Sequence, residues 1–74
     1  METISLSTEN SLYDFRFFAE MALRSGKAVS IDLQTAKGYQ FTYLRDLYRK
    51  GIVDRTADEW VGVLTFMPRN IQSL

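Results

Sequence analysis

Apolar residues recur along this chain with two different periods, and the changes of period mark its elements. Ile4 and Leu6 alternate with Thr3 and Ser5, the pattern of a short half-buried strand over residues 2–7. The polar run from Ser7 to Ser11 then offers several helix-capping residues, with Ser11 and Asp14 at capping-box spacing. Gly26 stands where a helix C-terminus favours a left-handed residue, so a helix is predicted over 9–25. At 100° per residue, Leu12, Phe15, Phe18, Ala19, Ala22 and Leu23 fall in one broad stripe that predicts the core face. Glu20 and Arg24 form an i,i+4 pair outside it. Tyr13, Phe17 and Met21 belong to neither group. They make a second ladder at i,i+4 spacing on the other side of the cylinder, which reads either as ordinary exposed apolar area or as a partner-binding ridge.

Val29, Ile31 and Leu33 alternate with Ser30, Asp32 and Gln34, predicting a strand with one apolar face. Thr35-Ala36-Lys37-Gly38 reads as a type I turn closed by a left-handed Gly. Tyr39, Phe41 and Tyr43 would then alternate along a returning strand. The competing reading caps a helix on Thr35 and runs it to Lys50, at a cost of about 1 kcal/mol for Gly38 in its second turn. Leu44, Leu47 and Tyr48, with Gly51 behind them, mark a helix ending near Lys50 in either case. In the last segment Thr56 and Glu59 have capping-box spacing ahead of Trp60, Val63, Leu64 and Met67. The β-formers Val61, Val63, Thr65 and Phe66 favour a strand there instead. Together the preferred elements predict an α+β fold in which two helices pack on a small antiparallel sheet, in the ferredoxin-like order βαββαβ. A short sheet or hairpin with three helices is the alternative.

At 74 residues the chain has room for one domain, residues 1–74, and no deep enzyme cleft. Its 46% hydrophobic content argues against disorder, and its longest apolar runs are too short for a signal peptide or a membrane span, so a cytoplasmic protein is expected. Nine basic and nine acidic residues balance, which gives no dominant attraction to nucleic acid or acidic membranes. With no Cys and no His, disulfides, zinc sites built on thiolate or imidazole, and Cys or Ser-His nucleophiles are absent from the inventory. The glycines are isolated, so no phosphate-binding loop exists. Asp58-Glu59 suits the first turn of an element better than paired acid-base work. No catalytic residue, metal or cofactor is expected.

One segment carries a mechanism. Lys37-Gly38-Tyr39-Gln40-Phe41-Thr42-Tyr43-Leu44 resembles the third-strand signature of RNA-recognition motif domains, a basic residue and Gly followed by alternating aromatics. The resemblance implies that Tyr39 and Phe41 stack on bases of a single strand, with Lys37 near a phosphate. Gln40, Leu44 and a first strand without an aromatic depart from that pattern.

Elimination leaves binding as the expected function. The leading expectation is a small regulator or inhibitor that docks on a larger protein through Tyr13, Phe17 and Met21. Phage and mobile-element accessory proteins are the background type for such small domains. A homodimer through the same ridge is the natural variant. Nucleic-acid binding through Lys37, Tyr39 and Phe41 is the alternative, and no membrane partner is expected.

Overall fold

The computed structural model describes residues 1–56 and 62–74. The chain runs β1 (Thr3–Ser5), α1 (Leu12–Arg24), β2 (Ala28–Asp32), α2 (Gly38–Arg49), β3 (Val53–Arg55), β4 (Val63–Pro68) and a closing 3-10 turn (Ile71–Ser73). The α+β class holds, with two α-helices and a four-stranded sheet among the described residues. The sheet is mixed, in the order β1-β2-β4-β3. β1 runs parallel to β2, while β4 lies antiparallel to both β2 and β3. Hence β2 and β3 point the same way with β4 between them, and β2-α2-β3 is a split βαβ unit. That is as far as the ferredoxin-like expectation carries. The order is β-α-β-α-β-β in place of βαββαβ, the sheet is not wholly antiparallel, and the described residues hold no third α-helix.

The decisive correction lies at residues 38–49. The strand expected through Tyr39, Phe41 and Tyr43 is a helix, and Gly38 is its first residue with no left-handed turn. The competing helix wins because its buried stripe is Gln40, Leu44 and Leu47, with Phe41 and Tyr43 packed against the core from either side. Its cap is Lys37 rather than Thr35. The Gln40 Oε1 accepts the Lys37 backbone N–H at 2.9 Å, which supplies one half of a capping box. The other half is missing, because a lysine ammonium has no acceptor to offer.

α1 forms as its caps predict, three residues later than expected. Ser11 Oγ accepts the Asp14 N–H at 3.2 Å, and past Ser25 the left-handed Gly26 lets Lys27 N donate back to Ala22 O at 3.0 Å. Gly51 ends α2 in the same way, with Ile52 N donating to Leu47 O at 3.0 Å. β1 and β2 fall at the strands expected from alternation at residues 2–7 and from Val29 onward, and β4 at the strand expected from the β-formers of the last segment, while β3 has no counterpart among the expected elements. The Thr56–Glu59 capping box and Trp60 bear on residues 57–61, which lie outside the described residues.

Register explains the burial. Val29 pairs with Phe66 and Ile31 with Leu64, so four apolar side chains share one face of the central strands. The helices cover that face with Phe15, Ala19 and Leu23 from α1 and Leu44 and Leu47 from α2, joined by Val53 of β3. The opposite face carries the row Ser5, Ser30 and Thr65, aligned across three strands. Apolar burial therefore comes almost wholly from the helical side, and the outer surfaces of the two helices form the domain's other broad face. Among the described residues no helix is long and apolar enough to cross a membrane.

Candidate protein interface

Packing α1 by the stripe centred on Phe15, Ala19 and Leu23 turns its opposite side to solvent. The ridge residues sit there as the sequence places them: Tyr13 is 82% exposed, and Phe17 and Met21 are each 53% exposed. Phe18 joins them instead of the core, against expectation. It is 50% exposed, with its ring edge-on to Phe17 at 5.4 Å between centroids. Phe18 lies at the margin of the apolar stripe, and α2 packs along the other margin, where Arg16 and Glu20 meet Tyr43.

Alongside the ridge runs an open groove of about 390 Å³, lined by Tyr13, Arg16, Phe17, Glu20, Met21 and Arg24. The expected Glu20–Arg24 pair is present at 3.7 Å. Both partners are substantially exposed, so its stabilising effect is small. Glu20 also accepts a hydrogen bond from the Tyr43 hydroxyl at 3.4 Å, while the Arg16 guanidinium lies 5.4 Å from the centre of the Tyr43 ring. A second groove of about 380 Å³ continues across to α2, lined by Leu12, Arg16, Tyr39, Thr42, Tyr43 and Asp46. Arg16 belongs to both. The outer helical face is thus an aromatic and methionine surface with Arg16 at its centre and carboxylates beside it.

Desolvation, followed by the nearby Glu20 carboxylate, raises the Tyr43 pKa from 10.0 to about 12, against an opposing pull from Arg16. The native state therefore holds the phenolic proton more tightly than the unfolded chain does. The resulting stabilisation is complete below pH 10, and it is lost as pH rises toward 12 because the unfolded state ionises first. Tyr43→Phe should flatten that alkaline loss of stability in denaturant melts across this window. A slope unchanged from the parent would show that another group causes it.

The alternative site residues are dispersed. Lys37 is an exposed cap, Tyr39 is 43% exposed in the second groove, and Phe41 packs against the core. Two residues apart on a helix is about 200°, so Tyr39 and Phe41 face different ways, and the strand platform implied by the RNA-recognition resemblance does not form. Tyr39 instead adjoins the α1 surface through Arg16. Arg16 and Glu20 line the groove, though the apolar pattern alone does not mark them. Their i,i+4 spacing beside the ridge was the available signal. Among the described residues no cluster of three or more His, Cys, Asp or Glu side chains could hold a metal ion. Comparison of the chain with protein-family models, with curated proteins and with solved structures found no match.

Proposed function

We propose that this domain is a protein-binding module that docks on a larger protein, as a small regulator or inhibitor, through the outer face of α1. The observation that carries this reading is the exposure of Tyr13, Phe17, Phe18 and Met21 on one helix whose other side already fills the core. Aromatics and Met are enriched in interface cores, and the basic and acidic side chains around them suit a polar rim. Helix-in-groove docking reads such anchors at i and i+4.

Phe17→Ala should weaken partner binding by about 2 kcal/mol or more, the scale of a hot spot. It should leave the melting temperature nearly unchanged, since Phe17 is half exposed. Affinity capture with the parent domain, with Phe17→Ala and with the control Tyr48→Ala on α2 tests this. The bound protein should survive the control and vanish with the ridge variant. Equal capture by all three, or a loss of about 3 to 5 kcal/mol in stability on Phe17→Ala, overturns the reading.

A further inference from the structure

The charge pattern beside the ridge says something further about what can cover it. A two-fold interface brings one patch against itself, so a ridge flanked by charges of a single sign repels its own copy. Here the flank reads Arg16, Glu20, Arg24, alternating in sign at i,i+4 spacing along the same groove. In an antiparallel pair of helices related by a two-fold axis, the same flank of each helix faces its counterpart. With the axis beside Phe18, Arg16 of one copy meets Glu20 of the other, and the reverse contact forms at the same time. In that register Phe17 is level, along the helix axis, with Ala19 of the second copy, and so seats between that copy's exposed Phe17 and Met21, as a knob enters a hole. Phe18 meets Phe18 on the other flank.

Both charged groups are available for this. Among the described residues Arg16 has no carboxylate within ion-pair distance; its guanidinium engages Tyr43, over the ring and at its hydroxyl. Glu20 holds only the long contacts to Arg24 and Tyr43, at 3.7 and 3.4 Å.

We infer that the α1 face pairs with a second copy of this chain, antiparallel, through reciprocal Arg16–Glu20 contacts around Phe17 and Phe18. The inference rests on the reading of this face as a protein interface and adds a competitor to it: the free domain must open before a larger protein can dock. The exposed area sets the size class of such an interface. Taking about 150 to 250 Å² for a whole large side chain, the four exposed ridge residues offer roughly 350 to 600 Å² per copy. Two copies then bury about 700 to 1,200 Å², the size of a weak and transient interface.

Sedimentation equilibrium on the purified chain tests it. The parent should show a reversible monomer–dimer equilibrium. Arg16→Glu and Glu20→Arg should each weaken dimerisation about tenfold or more, because each sets two like-charged pairs across the axis. Mixing the two variants should restore it, since Glu at 16 then faces Arg at 20, and Glu20 faces Arg16. Circular dichroism melts check that each variant folds. Should Glu20→Arg fail to fold, through loss of the Tyr43 contact, Phe17→Glu decides, because it touches neither charge pair and must be monomeric. A parent that stays monomeric to millimolar concentration overturns the inference, as does a mixture that does not recover or a Phe17→Glu domain that dimerises like the parent. A monomeric parent whose Phe17→Ala variant still loses its captured protein would end this inference and leave the docking reading standing.

Discussion

Phe15→Ala should remove about 3 to 5 kcal/mol of the domain's stability, the largest loss expected of any single truncation here. Phe15 is fully buried in the cluster that joins both helices to the sheet, and its ring stands edge-on to Tyr43 at 6.4 Å. Truncating such a ring costs about 3 to 5 kcal/mol in lost burial and residual cavity. For 74 residues the whole stability is only about 4 to 11 kcal/mol, so one side chain removes a large part of it. The informative comparison lies within the same helix. Phe18→Ala, at a half-exposed position, should cost about 1 kcal/mol or less, near the range of surface substitutions. Urea melts of the two variants against the parent read both numbers. A Phe18→Ala midpoint displaced as far as that of Phe15→Ala would put Phe18 in the core and remove it from the ridge.

The second large effect belongs to a polar residue. Gln40 is completely buried, and its amide is fully engaged. Its Nε2 donates to Thr8 O and Asn10 O, each at 3.2 Å, and its Oε1 accepts from Lys37 N at 2.9 Å. One side chain thereby caps α2 and ties it to the loop that leads into α1. The Thr8 hydroxyl reinforces the tie by donating to the Thr35 hydroxyl at 2.9 Å. Gln40→Glu keeps the shape, abolishes both donors and sets a carboxylate against two carbonyl oxygens. A cost of about 3 kcal/mol or more is expected at pH 7, on the scale of an uncompensated buried charge. The new carboxyl must have its pKa raised in the native state by burial and by the facing carbonyls. Stability should therefore be regained as pH falls below neutrality, where the protonated acid can donate one of the two lost bonds. Gln40→Leu should show a loss with no such recovery. Chemical denaturation of both variants at pH 7 and pH 5 separates the outcomes, and a Gln40→Glu domain as stable as its parent would mean that the amide is not engaged as described.

Gln40 also explains where the sequence misled. Tyr39, Phe41 and Tyr43 alternate, and a polar residue between aromatics reads as the solvent side of a strand. The helix outweighs the strand only when Gln40 is counted with Leu44 and Leu47 as one buried stripe. Nothing in the pattern of apolar positions signals a glutamine that satisfies every polar atom internally. β3 was hidden for a different reason. It spans three residues and contributes a single apolar side chain, Val53, which is too little for a period to register. β2 and β4 were legible because two apolar residues on each face the helices directly across from one another. The ridge was legible because Tyr13, Phe17 and Met21 lie opposite a stripe that already fills the core. Phe18 was not, because its angular position at the margin of that stripe leaves its burial to whichever margin the second helix covers.

The place of β4 in the sheet sets when the nascent chain can complete its pairing. It is the last strand in the chain, yet it pairs with both β2 and β3. A nascent chain that has reached residue 55 contains both α-helices and three of the four strands found among the described residues, but β3 has no ladder partner and the Val29–Ile31 edge of β2 is bare. At about 5 to 20 residues per second, β4 follows within about one to three seconds. Until then the domain has a hydrophobic face without the strand that joins its halves. A chain cut short anywhere ahead of residue 63 therefore lacks β4 and is left with unpaired strand edges of the kind that aggregate.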